Sequence, residues 1–166
     1  MDPLETVRQV VDDMLRHQPD DDERRCGFVH LYGVSAACAL LALKRGQDPQ
    51  VAALAGMLHD VWTYQAGVED ARHAEYSAVL AGQILAGHTD LAAADIQAIT
   101  VAIARHSDKE SVDGDLAELL KDADVLQHYL YTLVPALSPH RLARLARLAQ
   151  ELGFPVPTWP LLPSDV

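Results

Sequence analysis

The chain reads as apolar helical stretches separated by short polar breaks. Asp2-Pro3 opens the first helix, with Asp as cap and Pro in the first turn, and it runs to about His17. After the acidic stretch PDDDE a long second helix is predicted from Asp22 to Arg45, with Lys44 and Arg45 in its last turn and Gly46 beyond. Asp48-Pro49 repeats the opening signature and starts a third helix that continues through LAGMLHDV, followed by a loop around Gln65 to Val68. A fourth covers DARHAEYSAVLAGQIL and stops near Gly87, and a fifth covers LAAADIQAITVAIARH. Beyond the loop SDKESVDGD, a sixth covers LAELLKDADVLQHYLYTLV. Ser138-Pro139 caps a seventh, HRLARLARLAQEL. The tail GFPVPTWPLLPSDV is too proline-rich to be helical throughout and is expected either to pack over the surface through Phe154 and Trp159 or to be partly mobile.

The second helix carries two apolar stripes: Val29, Tyr32, Ala36, Leu40 and Leu43, then Val34, Ala37 and Leu41. A helix apolar on nearly all sides is central to its bundle, and His30 on the second stripe points inward. Aromatics are only 5% while Ala and Leu abound, which favours helix over strand. A length of 166 residues suits one domain spanning 1–166, with a core of about 22–135, an N-terminal helix 2–17, a C-terminal helix 139–152 and a tail 153–166.

Charge narrows the partners. Lys plus Arg is 13 against 24 Asp plus Glu, a net charge of -11, which repels phosphate backbones and argues against a nucleic-acid polymer. A small phosphate substrate stays open, because a bound metal reverses the local sign. Cys26 and Cys38, on one helix, would lie roughly 18 Å apart at 1.5 Å per residue, beyond disulfide reach. The start MDPLETVRQVVDD lacks the apolar segment of a secretory signal, and the run Phe28 to Leu43 is short for a membrane span, so a cytoplasmic protein without a membrane partner is expected.

The chemistry begins at GMLHDVW, where His59 and Asp60 interrupt an apolar run. An unpaired carboxylate buried there costs several kcal/mol. His30, His73 and His106 recur in similar settings, near helix ends or on apolar faces, as does the carboxylate of Asp124. Several buried imidazoles need several partners, and one metal ion satisfies them together. Adjacent helical side chains point about 100° apart, so His59 and Asp60 can converge on one ion only where the helix ends. His17, His88 and His140 read as solvated, and Arg141, Arg144 and Arg147 as a solvated stripe. Asp124 and His128 share one helix face and can converge on a metal, although His128 reads more readily as a supporting core group. Arg105, Lys109 and Lys121 are candidates to neutralise a phosphate, Lys109 standing just beyond His106 in HSDK.

His30 in HLYGVS, His59 and Asp60 in LAGMLHDV, and Asp124 in LLKDADVLQHYL together resemble the H…HD…D signature of the HD-domain superfamily of metal-dependent phosphohydrolases. The resemblance implies an all-α, HD-domain-like bundle of about six to seven helices around a metal site. It implies His30, His59, Asp60 and Asp124 as ligands, with Asp124 rather than Asp122 taken from DAD. Asp122 becomes a surface or supporting carboxylate. His73 and His106 resemble positions that complete a second metal in some relatives, or that contact phosphate or serve as acid. Only one histidine stands at 106, and GYP is absent, which argues against cyclic-dinucleotide substrates. The expected activity is hydrolysis of a small phosphoester, such as a nucleotide, by metal-activated water. Asp60, His73, His106 and Lys109 are the candidate catalytic groups. The mixed donor set suits one or two ions of Mn, Fe, Co, Ni or Zn. A non-hydrolytic di-iron oxygenase and a catalytically silent metal-binding module are the alternatives.

Overall fold

The computed structural model describes residues 2–68, 70–132 and 137–155. Eight helices occur among them: α1 (Pro3–Arg16), α2 (Asp21–Arg45), α3 (Pro49–Leu58), α4 (Val61–Ala66), α5 (His73–His88), α6 (Ala93–Arg105), α7 (Asp115–Thr132) and α8 (Pro139–Leu152). The expected all-α class holds, and no strand occurs among the described residues. The eighth element arises because the expected third helix is divided. Its first part ends at Leu58, and Asp60 leaves helical geometry at φ -117° before α4 begins. The break falls on the His59-Asp60 pair itself rather than after Trp62.

The caps read at Asp2, Asp48 and Ser138 form, and the second helix, expected from Asp22, starts at Asp21 with Asp20 as its cap. Asp2, Asp20, Asp48 and Ser138 each accept a hydrogen bond from the first-turn backbone of α1, α2, α3 and α8. Such caps contribute about 1 kcal/mol each by satisfying otherwise orphaned N–H groups. Gly46 ends α2 with φ 69°, left-handed backbone that glycine adopts without a Cβ penalty.

The centre of the molecule is the α2–α3 pair. Seven consecutive residues of α3, Ala52 to Leu58, are buried. Close approach explains Gly56: a Cβ there would lie 2.8 Å from Ser35 Cα and 2.9 Å from Ser35 N on α2. Ser35 itself donates its hydroxyl to Ala53 O, so its polarity is satisfied inside the core. Helices α6 and α7 close the far side of this pair, α5 packs on α6, and α1 covers α3 and α5. The buried face of α2 is His30, Leu31, Val34, Ser35, Cys38, Leu41 and Ala42. The first apolar stripe is largely solvent-facing, with Val29, Leu40 and Leu43 exposed. Helix α2 is long and apolar enough to cross a membrane, yet it packs on α3 and α7. Cys26 and Cys38 are free thiols.

Helix α8 overturns one expectation. Arg144 is not solvated but 3% exposed. Its guanidinium donates to Glu118 Oε2 at 2.8 Å, Asp122 Oδ1 at 3.0 Å and the Lys109 carbonyl at 3.1 Å. Three carbonyl and carboxylate acceptors lie under that face of α8, which a three-residue spacing cannot reveal. Asp122 is also buried and accepts from Arg45 at 2.8 Å, so it is a structural carboxylate and not a surface one. Phe154 stacks nearly parallel on Tyr129, ring centroids 6.4 Å apart, while Trp159 lies outside the described residues.

Candidate metal centre

Four helix ends and two helix faces deliver the cluster. His59 and Asp60 sit at the α3–α4 break, His73 begins α5, and His106 follows α6. His30 projects from α2, and Asp124 from α7. His59 keeps helical backbone while Asp60 leaves it, which turns two adjacent side chains toward one point, and His59 Nε2 stands 3.2 Å from Asp60 Oδ2.

Each imidazole is oriented through Nδ1. His59 Nδ1 faces Gly56 O at 2.8 Å, His73 Nδ1 faces Asp70 O at 2.9 Å, and His106 Nδ1 faces Ile103 O at 2.7 Å. His30 Nδ1 faces Gln127 Oε1 at 2.8 Å. A carbonyl only accepts, so each Nδ1 carries the proton and each Nε2 presents a lone pair. Those Nε2 atoms meet one another and two carboxylates. His30 Nε2 and His59 Nε2 are 3.0 Å apart. Asp60 Oδ2 lies 3.4 Å from His30 Nε2, and Asp60 Oδ1 lies 3.2 Å from His106 Nε2 and 3.5 Å from His73 Nε2. Asp60 Oδ1 is buried without a hydrogen-bond partner. Lone pairs converging on lone pairs need positive charge between them, so the donor set fits a cation.

Three overlapping groups have ligand atoms within 4.8 Å of one another: His30-His59-Asp60, His30-Asp124-His128 and Asp60-His73-His106. Asp60 belongs to two of them through different oxygens. The electrostatics differ between the imidazoles. Burial pushes the His59 imidazole toward losing its proton, but Asp60, Asp124 and the Gly56 carbonyl outweigh it and hold His59 above its ordinary value. Burial likewise opposes ionisation of Asp60, and the surrounding imidazoles overcome it, keeping the carboxyl well below the usual range. For His106 burial dominates and lowers its value, which preserves the neutral ring a metal requires.

Asp124 is the member of DAD that faces the cluster, its Oδ1 3.7 Å from His30 Nε2 and 3.9 Å from His59 Nε2. Its Oδ2 is taken by Lys109 Nζ at 2.6 Å, which also donates to His106 O. Burial raises the Asp124 carboxyl, and Lys109 with the nearby imidazoles reverses this to well below the ordinary value. Lys109 is therefore already engaged behind the cluster. Lys121 is fully buried on Ser111 O, Asp113 and Glu118, and Arg105 turns to Asp113, so neither reaches the cavity. His17 and His140 are exposed as expected, whereas the His88 side chain is outside the described set.

A cavity of about 950 Å³ opens above the cluster, between α2, the 60–73 segment and α7. His30, Asp60, His73 and His128 form its floor, and Glu23, Tyr64, Asp70 and Tyr131 line its walls. No Lys or Arg lines it among the described residues. Sequence reasoning missed Gln127, which orients His30, and Thr63, whose buried hydroxyl on the cavity wall has no partner. Neither residue type carries a sequence signal for such a role.

Fold and site together define an all-helical domain with a buried His/Asp cluster able to hold metal. The HD domain family model matches residues 27–129, well over half of the chain, and the protein belongs to the HD-domain family. Members of this superfamily are metal-dependent and generally hydrolytic. No curated protein and no solved structure matches the chain.

Proposed function

We propose that the protein is a metal-dependent phosphohydrolase with a two-cation centre acting on a small phosphoester. The observation that carries this reading is the split Asp60 carboxylate. Its Oδ2 faces His30 and His59 at 3.4 and 3.2 Å, and its Oδ1 faces His73 and His106 at 3.5 and 3.2 Å. In this reading His30, His59, Asp60 and Asp124 hold one ion, and Asp60, His73 and His106 hold a second. The nitrogen-rich donor set suits Mn, Fe, Co, Ni or Zn over Mg or Ca. Bound ions of this kind supply Lewis acidity toward a phosphoryl oxygen and acidify water.

The chain's own residues set the remaining terms. With no Lys or Arg on the described cavity wall, the substrate phosphate meets positive charge only at the floor. That arrangement makes metal dependence absolute and orients the phosphate inward. Glu23 and Asp70 on the wall disfavour a second anionic group and suit a neutral or cationic body, such as a nucleoside or an amine. Tyr64, whose phenol burial pushes up, stays a neutral donor at neutral pH. Tyr131 offers an aromatic face to a ring. A volume of about 950 Å³ accommodates a nucleotide.

The test is phosphate release from a panel of phosphoesters and nucleotides with added Mn or Co. Turnover of substrates with a single phosphate group and a neutral or amine-bearing body is the expected result, and Asp60→Ala should lose both metal and activity. A protein that holds metal and turns over no member of the panel overturns the reading. The two-lobed cluster also accommodates a di-iron oxygenase, whose mark would be two tightly bound irons with oxygen consumption.

A further inference from the structure

We infer that His128 is a direct fifth ligand of the cation held by His30, His59, Asp60 and Asp124, approaching from the cavity side. The inference rests on the metal-centre reading above. Helix α7 places Asp124 and His128 four residues apart, so both project from one face as a ready chelate. His128 Nε2 lies 3.4 Å from Asp124 Oδ1, the same oxygen that faces His30 and His59. The other Asp124 oxygen is held by Lys109, so Oδ1 alone is turned to the imidazoles. The His30 and His128 rings are 4.9 Å apart, the same separation as His30 and His59. His30, Asp124 and His128 also satisfy the mutual ligand-atom distance of 4.8 Å.

A supporting core group would be buried, as Gln127 beside His30 is at 8% exposure although it too borders the cavity. His128 is instead 42% exposed by side chain and lines the cavity. It therefore meets the ion on the substrate side. A third imidazole turns the first site from two nitrogens and two oxygens into a nitrogen-majority set, which strengthens the preference for Co, Ni or Zn over Mn. Helix α7 then contributes Asp124 and His128 as ligands and Gln127 as the group that orients a third.

Titration of the metal-free full chain with Co(II), followed by visible absorption, tests this without any substrate. His128→Ala is compared with the parent and with His140→Ala, which removes an exposed α8 histidine paired with Glu110. Partial exposure of His128 predicts a folded variant, checked by circular dichroism. The expected result is a loss of first-site Co(II) affinity of about tenfold or more, the scale on which even outer groups act on metal sites. It should come with a changed d–d band, while His140→Ala matches the parent. Parent-like affinity and spectrum in His128→Ala, with any defect confined to KM, would overturn the inference and leave the metal centre standing. A parent chain that binds no Co(II) would overturn both.

Discussion

Gly56→Ala tests the packing that brings the two halves of the site together. Gly56 lies in α3 against α2, and an added Cβ would stand 2.8 Å from Ser35 Cα and 2.9 Å from Cys38 Sγ. Ordinary contact begins near 3.4 Å, so the helices must part by about 0.6 Å, the difference between 3.4 and 2.8. Two of the three obstructing atoms, Ser35 Cα and N, are backbone and cannot rotate away, which places the cost near the top of the overpacking range, about 3 kcal/mol. Replacing glycine by alanine inside a helix returns about 1 kcal/mol. The net is a destabilisation of about 2 kcal/mol, or a Tm lowered by roughly 4–8 °C for a chain of this length. Urea melts give the free energy. Gly87→Ala in α5 is the matched comparison, because nothing lies within 4 Å of its Cβ, and it should gain up to about 1 kcal/mol. The Gly56 carbonyl also orients His59 Nδ1, so the same variant should weaken metal binding. If Gly56→Ala proves as stable as Gly87→Ala, the close-approach argument is wrong.

Gly33→Ala separates site from stability: its Cβ would meet the flexible Gln127 side chain at 2.8 Å. It should melt near the parent, yet bind Zn about tenfold more weakly, as Gln127 leaves His30; unchanged binding by calorimetry would remove Gln127 from its orienting role. Arg144→Met should cost about 1.5–3 kcal/mol in urea unfolding, because Glu118 and Asp122 lose one charged partner while keeping Lys121 and Arg45; a loss under 1 kcal/mol would show that the network is solvated. Acid sensitivity follows from Glu118, whose carboxyl burial raises but Arg144 and Lys121 hold down to about 2, against an ordinary 4.5. A depressed folded value stabilises fully above 4.5 and is lost as pH falls toward 2, so Glu118→Gln should flatten that limb of the stability profile. Metal at a hundred times its Kd should raise unfolding free energy by about 2.7 kcal/mol, read as a higher Tm that a chelator reverses.

The elements were legible because their causes are local. Asp2, Asp20, Asp48 and Ser138 cap helices with bonds to backbone two or three residues away. Gly46 is left-handed where a helix must stop. The cluster members His30, His59, Asp60, His73, His106 and Asp124 were recognisable too, because ionisable groups in apolar runs demand partners. Their type and order along the chain carry that information.

Other features depended on which distant surfaces meet. Two apolar stripes on α2 look equivalent in sequence, and only the placement of α3 and α7 leaves Val29, Leu40 and Leu43 in solvent. Arg144 sits in a repeating arginine pattern, yet its acceptors lie 22 to 35 residues away. Gln127 orients His30 across 97 residues of chain. The sharing of Asp60 between two histidine groups, and the turn of His128 toward the cavity, are likewise tertiary facts. Composition and spacing determined that this chain would build helices and carry residues able to ligate a metal. Only packing decided which lone pairs converge, because side-chain direction is settled by contacts between segments that the sequence holds far apart.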